Sequence, residues 1–401
     1  MIQQPYHAIE EINRTLEKSL GSQLIALYLF GSIAKEKYEP DQSDINLLAV
    51  VEEGTSIHEI RSALRPIWLK AGEIIRQTPL IATPDALSRH LQVNPVLGNH
   101  LIEHSRLLYG QSLELAVSPV STAERISLLS RVALNASTVI GHQLLTKDEV
   151  ESSLLTLFRL AKFLDLDENA QTNTPVETFA AVQGFAARLI TDNPTLQWSA
   201  PPPDGSPPLV DSLLAIYEMD ERAIFLLPDW PADQIEAYIR TVDWTAVSES
   251  LAGQYKGLQL STPTQFRLIM EYNQASDRYF HNYEHAWGQD PLESLTISHR
   301  QLYKELARRA SRMEIRTFPH VYITADGSDG FYKVIHDFQN KLLNIQLREE
   351  LMVRIDKRPR AMPPTPLPDR TAPPNERIDA ILEHFHWWAD HYAAAMLQEL
   401  I

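Results

Sequence analysis

The sequence predicts an α+β N-terminal domain with a short mixed sheet, followed by a mainly α-helical bundle and a C-terminal helical extension. Three observations predict this fold class: two closely spaced buried strand patterns near the N-terminus, helical apolar periodicity from about residue 121, and seven prolines between residues 359 and 374. The length of 401 residues suggests two or three domains. The expected divisions are an α+β domain over 1–112, a helical bundle over 118–290, a mixed helical and strand region over 291–358, a proline-rich linker over 359–374 and a C-terminal helix over 375–401.

Helical and strand patterns alternate in the first third of the chain. Apolar residues recur at helical spacing before Gly21, a typical C-cap residue, and the next apolar run ends at Gly31-Ser32. Ser56 and Glu59 have the spacing of a capping box at the start of a helix. The predicted elements are a helix over 7–20, strands over 23–30 and 44–51, a helix over 56–71, a strand over 78–83 and a helix over 95–109.

From residue 121 onward the pattern is mainly helical, and we detect no internal repeat in the sequence. Strand signals are scarce before residue 290, which favours a bundle. The predicted helices begin at 121 and continue over 149–164, 176–191, 209–226, 232–253 and 263–286. The last hundred residues predict helices over 298–313, 331–347 and 376–400, with a strand over 317–324.

Charge and composition exclude several classes of function. The net charge is −16, of which residues 113–300 carry −13, so a general nucleic-acid binder is disfavoured, whereas the N-terminal third remains compatible with a phosphate ligand. The chain has no cysteine, which excludes disulfides, thiolate nucleophiles and Cys-ligated metals. The first residues lack a signal-peptide pattern, and no apolar run approaches the roughly 20 residues of a membrane span. We therefore expect a cytoplasmic protein with no membrane partner.

One motif has residues typical of a site that binds phosphate and a metal ion. A strand ends at Gly31-Ser32, where glycine allows a phosphate to approach the backbone and the serine hydroxyl can donate to it. Asp44 and Asn46 lie two residues apart on the next strand, so both side chains point to one face, toward the Gly-Ser turn. Oxygen ligands in this position suit Mg²⁺ held against a triphosphate. Lys35 is a further candidate for phosphate contact, although a solvated surface is the simpler interpretation of that residue.

At these residues the sequence resembles the nucleotidyltransferase domain of the DNA polymerase β superfamily, in its minimal and aminoglycoside-modifying form. The resemblance covers about residues 6–112 and includes the close of the domain, Ser105-Arg106-Leu107-Leu108-Tyr109-Gly110. It implies ATP and Mg²⁺ as cofactors and transfer of AMP to a hydroxyl of a small molecule or protein. Gly31, Ser32 and Lys35 would contact the nucleotide, and Asp44 and Asn46 would serve as catalytic and metal-binding residues.

The sequence departs from the family pattern in its carboxylates. Asn46 stands where the family has a second aspartate, and the third carboxylate, expected near Gln77 to Leu80, has no counterpart. A two-metal mechanism therefore lacks its ligands. Two hypotheses follow: a divergent transferase whose acidic middle region attracts a cationic acceptor, or a catalytically inactive module that senses a nucleotide or binds a protein partner through its C-terminal half.

Weaker patterns allow other sites. His281 and His285 match a zinc-binding helix pattern, and His386 with Asp390 have i, i+4 spacing, but an ordinary helix surface is the simpler interpretation of both. The arginines over 308–316 could contact an anion, with a solvated helix face as the default.

Overall fold

The structure is a computed structural model, and it describes residues 5–36, 44–117, 119–146, 174–191, 210–219, 221–251, 255–273, 283–293 and 295–398. The chain divides into two compact units. One comprises Met1–Val120 together with Leu306–Ile401, and the other comprises Ser121–Glu305. The C-terminal hundred residues thus belong to the same unit as the N-terminal domain, unlike the separate divisions expected from the sequence.

The first unit is built on a four-stranded mixed sheet of order β3-β2-β1-β4. β1 pairs with β2 and β4 in antiparallel fashion, and β2 pairs with β3 in parallel. The predicted first helix and first three strands are confirmed, whereas the chain over the predicted helix 95–109 turns from helix to strand. The elements are α1 Pro5–Leu20, β1 Leu24–Phe30, β2 Asn46–Val51, α2 Ile57–Ile75, β3 Leu80–Ala82, α3 Pro84–Val93, α4 Pro95–His104 and β4 Ser105–Gly110.

Helices complete the first unit. The expected strand over 317–324 is wrong, because a helix occupies these residues: it starts with Pro319 in its first turn and buries Phe318, Tyr322 and Ile323 on one face. A short apolar run does not distinguish strand from buried helix by its period alone. The elements are α10 His299–Arg312, of which the residues from Leu306 belong to this unit, a π-helical segment Met313–Thr317, α11 Phe318–Thr324, α12 Gly327–Asp356 and α13 Pro374–Gln398.

The second unit contains a four-stranded sheet of order β7-β6-β5-β8, which the expected helical bundle over 118–290 lacked. Residues 209–226 were expected to be helical, but a two-stranded antiparallel pair lies there, and each strand is mostly apolar and mostly buried on both faces. The predicted helix 149–164 lies outside the described residues. The elements are α5 Thr122–Thr146, α6 Pro175–Thr191, β5 Ala215–Met219, β6 Arg222–Leu226, α7 Ala232–Thr241, α8 Trp244–Leu251, β7 Gly257–Ser261, α9 Pro263–Tyr272 and β8 Tyr283–Gly288.

The two sheets share one topology. β5 is antiparallel to β6 and β8, and β6 is parallel to β7, which repeats the pairings of β1 to β4. Each last strand ends in a glycine of positive φ, Gly110 (81°) and Gly288 (88°), and these glycines pair with Ala26 and Ala215 in their sheets. The chain therefore contains a structural repeat that its sequence did not reveal.

The connection after the third strand repeats as well. Thr83 and Thr262 each accept a hydrogen bond at the N-terminus of the following helix, and each precedes a proline in the first turn.

No helix among the described residues has the length and apolar character needed to cross a bilayer.

Candidate functional site

The turn after β1 holds the first candidate residues. Gly31 has φ +85°, and a Cβ at this position would lie 2.9 Å from Nδ2 of Asn46, so a side chain there would have to displace the Asn46 amide. The backbone N–H of Lys35 donates to the carbonyl of Gly31 at 3.2 Å, and Glu36 then adopts a left-handed φ of 58°. Over the described residues, the chain after Gly31-Ser32 therefore forms a single turn. Ser32 lies in this turn, half-buried.

Asn46 stands beside this turn, and Asp44 precedes Asn46 by two residues. Asn46 pairs with Phe30 in the sheet, and its side-chain amide lies 3.5 Å from the carbonyl O of Asp44, as a long hydrogen bond. Asp44 is 7% exposed, so its carboxylate is largely removed from water. A buried carboxylate needs a compensating partner to remain charged.

An arginine provides positive charge to Asp44. Nη1 of Arg76 lies 3.5 Å from Oδ1 of Asp44. Arg76 is the C-cap of α2, in a left-handed conformation (φ 54°), and its N–H donates to the carbonyl of Gly72. This conformation turns the chain toward β3 and directs the half-exposed guanidinium at Asp44. Arg76 was not predicted from the sequence, because the family pattern points to carboxylates in this region.

A second arginine lies near Gln77, in the region where the resemblance implies a third carboxylate. The π-helical segment packs against β3, and Nη2 of Arg316 donates to Oε1 of Gln77 at 2.7 Å. Desolvation by the surrounding protein lowers the pKa of Arg316, the neighbouring charge of Arg312 lowers it further, and the charge of Asp44 opposes both. Asp44 therefore faces guanidinium groups from two elements.

The segment that carries Arg316 is anchored by a buried ionic cluster. Nη2 of Arg89 donates to both oxygens of Glu314 at 3.0 and 3.1 Å, and Nδ1 of His386 lies 2.6 Å from Oε1 of the same carboxylate. Asp390 lies 3.4 Å from Nη1 of Arg89. His386 and Asp390, considered from sequence as metal ligands, thus take part in ion pairs, and the hydrogen bond to Glu314 is the main cause that raises the pKa of His386.

Lys35 and His100 lie near the Gly-Ser turn. Burial lowers the pKa of His100 to about 4, and the nearby charges of Lys35 and His104 add to this effect. The ring of His100 meets that of Phe30 edge-on at 6.5 Å, next to the end of β1. Lys35 is exposed and close enough to His100 to influence its charge. The i, i+4 spacing of His100 and His104 before β4 is the sequence feature that points to these residues.

The remaining sequence candidates do not form a metal centre. His285 lies on strand β8, not on the helix that the zinc pattern requires, and its ring contacts that of Tyr217; His281 lies outside the described residues. Arg308 is buried and donates to the carbonyl of Val93 at 3.2 Å, so it is not part of a solvated face. Across the described parts of the chain, no group of three or more histidine and acidic side chains is arranged to hold a metal ion.

The charges around Asp44 decide which ligands fit. Mg²⁺ prefers several carboxylate oxygens, whereas this site offers one carboxylate with guanidinium groups beside it, so the residues present do not fit the Mg²⁺ that the resemblance implies. Cations beside a Gly-Ser turn do fit the phosphate groups of a nucleotide. No protein-family model matches the sequence, and no curated protein shows significant similarity to it.

Proposed function

We propose that this chain is a catalytically inactive nucleotidyltransferase-like protein that binds the phosphates of a nucleotide, such as ATP, and serves as a nucleotide-sensing or partner-binding module. Gly31 and Ser32 contact the phosphates through the turn after β1, and Lys35 contributes a positive charge. The short mixed sheet of the first unit is compatible with the resemblance at residues 6–112.

One observation carries the proposal: Asp44, the carboxylate that matches the family motif, faces Arg76 at 3.5 Å and the charge of Arg316. Nucleotidyl transfer by two metal ions requires carboxylates that hold both ions and activate the acceptor hydroxyl. Guanidinium groups repel such ions, but they attract the phosphates themselves. The same residues therefore favour binding over transfer.

We extend the proposal to the second unit as a further nucleotidyltransferase-like fold that has lost the motif. Its strands β5 and β6 are separated by two residues, where the first unit has a long connection between β1 and β2. Arg222 pairs with Met219 in the position that Asn46 and Phe30 occupy in the first sheet. This unit thus repeats the sheet without the Gly-Ser turn or the aspartate.

Two measurements test the proposal on the full chain. Equilibrium dialysis with labelled ATP should show saturable binding, and a coupled assay with Mg²⁺ should detect no pyrophosphate release across hydroxyl acceptors, including aminoglycosides and protein. Glu17→Ala, an exposed position on α1, is the matched control for Asp44→Ala. Pyrophosphate release that Asp44→Ala abolishes and Glu17→Ala preserves would establish the transferase instead.

A further inference from the structure

We infer that Arg76, Arg312 and Arg316 form an oxyanion site that binds a phosphate group of the ligand without a divalent metal ion. The inference rests on the proposed nucleotide binding and adds which side chains recognise the phosphate and why no Mg²⁺ is needed. Where the family pattern places carboxylates and a metal, this chain places guanidinium groups.

Two of the three arginines, Arg76 and Arg316, lie near Asp44, and the third, Arg312, lies near Arg316. Arg76 lies 3.5 Å from the Asp44 carboxylate, and Arg316 is close enough for an electrostatic interaction with the same carboxylate. Arg312 precedes Arg316 by one turn and is close enough to repel it. Arg312 and Arg316 are both exposed, whereas Glu314 between them is 6% exposed, so the segment directs its arginines outward and its carboxylate inward.

The surrounding structure holds Arg76 and Arg316 in place. Glu314 fixes the π-helical segment to α3 and α13 through Arg89 and His386, and Gln77 accepts a hydrogen bond from Arg316. Arg76 is held in a left-handed conformation that costs a non-glycine residue about 1 kcal/mol. Short π-helical segments and strained backbone positions are both common at functional sites. Cations fixed before binding lose little conformational entropy when the ligand arrives.

In the absence of a ligand, the Asp44 carboxylate supplies the negative charge that pairs with the guanidinium groups. A phosphate carries more negative charge than a carboxylate and accepts paired hydrogen bonds from a guanidinium, so it competes with Asp44 for the arginines. Removal of the Asp44 charge should therefore strengthen phosphate binding. At a metal-dependent site the same change would weaken binding, because it removes a metal ligand. The sign of the Asp44→Asn effect separates the two mechanisms.

The experiment measures the Kd of ATP and of inorganic tripolyphosphate for the full chain by calorimetry, in EDTA and in Mg²⁺. We expect both ligands to bind in EDTA. Arg312→Gln and Arg316→Gln should each weaken binding roughly tenfold, as expected for one charge-assisted contact. Asp44→Asn should tighten binding severalfold. Arg354→Gln, an exposed arginine on α12 in the same unit, should leave the Kd unchanged.

Two further comparisons keep the result interpretable. Arg316→Lys retains the charge but not the paired donors, so its Kd should fall between those of the wild type and Arg316→Gln. Thermal unfolding of each variant shows whether it folds, and the exposed positions of Arg312 and Arg316 make them better test sites than Arg76, which caps a helix.

The outcomes distinguish this inference from the proposed function. If ATP binds under no condition, the proposed function fails. If ATP binds only with Mg²⁺ and Asp44→Asn weakens it, nucleotide binding stands and the arginine site is overturned. Binding in EDTA that none of the arginine variants changes would also overturn it.

Discussion

Gly110 and Gly288 allow the last strand of each sheet to approach the neighbouring strand closely. A Cβ at Gly110 would overlap the carbonyl of Ile25, and a Cβ at Gly288 would overlap that of Leu214, and both glycines have positive φ. Because the obstacle is backbone of a paired strand, we expect Gly110→Ala and Gly288→Ala each to lower the free energy of unfolding by more than about 3 kcal/mol. Chemical denaturation measures this loss.

Gly54→Ala is the control for the glycine variants. Gly54 has the same φ as Gly110, 81°, but a Cβ there meets nothing within 4 Å. Its substitution should cost only the conformational strain, about 1–2 kcal/mol. Equal losses at Gly54 and Gly110 would contradict the proposed overlap, because conformational strain alone would then explain both.

The pKa of His100 is a measurable probe of the surroundings of the Gly-Ser turn. Its pKa of about 4 results from burial first, and from Lys35 and His104 second. We expect Lys35→Ala to raise this pKa, because one repulsive cation is removed, and a bound nucleotide to raise it as well, because an anion beside the ring stabilises its protonated form. NMR titration of the histidine ring signals measures both shifts. A pKa of His100 that is unchanged by saturating ATP would place the phosphates away from Lys35.

At the scale of elements, two arginines of α2 cap the C-terminus of α11. Nη1 of Arg65 donates to the carbonyls of Ile323 (3.1 Å) and Thr324 (2.8 Å), and Arg61 donates to those of Tyr322 and Ala325. These are the carbonyls that a helix end leaves without internal partners. The two arginines therefore tie the C-terminal part of the first unit to its N-terminal part.

Arg65→Ala tests this cap. Loss of charge-assisted bonds at a helix C-terminus should lower the free energy of unfolding by about 2 kcal/mol. Lys70→Ala on the same helix should change it by less than about 0.5 kcal/mol, because its 3.7 Å pair with Glu11 is exposed. Urea denaturation compares the two variants, and equal effects would show that the cap contributes nothing beyond an ordinary surface charge.

The cluster around Glu314 gives the π-helical segment a pH dependence. The hydrogen bond to Glu314 raises the pKa of His386, the charges of Glu314 and Glu53 act in the same direction, and burial and Arg89 oppose them. Asp390 also faces the cluster, through Arg89. Because the folded-state pKa is raised, the stability that His386 contributes is fully present below its unfolded pKa of about 6.5 and is lost as the pH rises through the folded value.

His386→Gln should therefore lower the free energy of unfolding more at pH 5.5 than at pH 9. His336→Gln, at an exposed position on α12, is the control. Denaturant titrations at the two pH values give the comparison. A loss of the same size at both values would mean that His386 acts through packing rather than through its proton.

Sequence patterns predicted some elements and not others, for physical reasons. α1 was predictable because its apolar residues follow a helical period, with Ile9, Ile12, Leu16 and Leu20 all buried. β5 and β6 were not, because both faces of each strand are covered, and a continuous apolar run has no period to read. Asp44 was found through its motif. Arg76 and Arg316 lie at the ends of helical segments that are distant from Asp44 in sequence, and only the fold brings them near it.

At the scale of the whole molecule, the first unit is discontinuous in sequence. Residues 1–120 fold with residues 306–401, and the second unit is inserted between them. Changes of composition along a chain mark the ends of continuous segments, so they do not reveal that two distant segments fold together. The repeat of the sheet was hidden for a related reason: its evidence lies in strand order and register, and few residues are shared between the copies.

The discontinuity predicts how fragments behave. Residues 1–120 contain Arg89, whose guanidinium is buried against Glu314, and His58, which bonds to Tyr322 and Asp379. Alone, this fragment would leave a buried charge and the apolar faces of α2 and α3 without partners, so we expect it not to unfold cooperatively.

Residues 299–401, which begin at the start of α10, should restore cooperative unfolding when co-expressed with the fragment 1–120. Hydrogen exchange should then show protection across β1 and β2 in the pair but not in the single fragment. Full protection in residues 1–120 alone would show that the N-terminal segment is an independent domain.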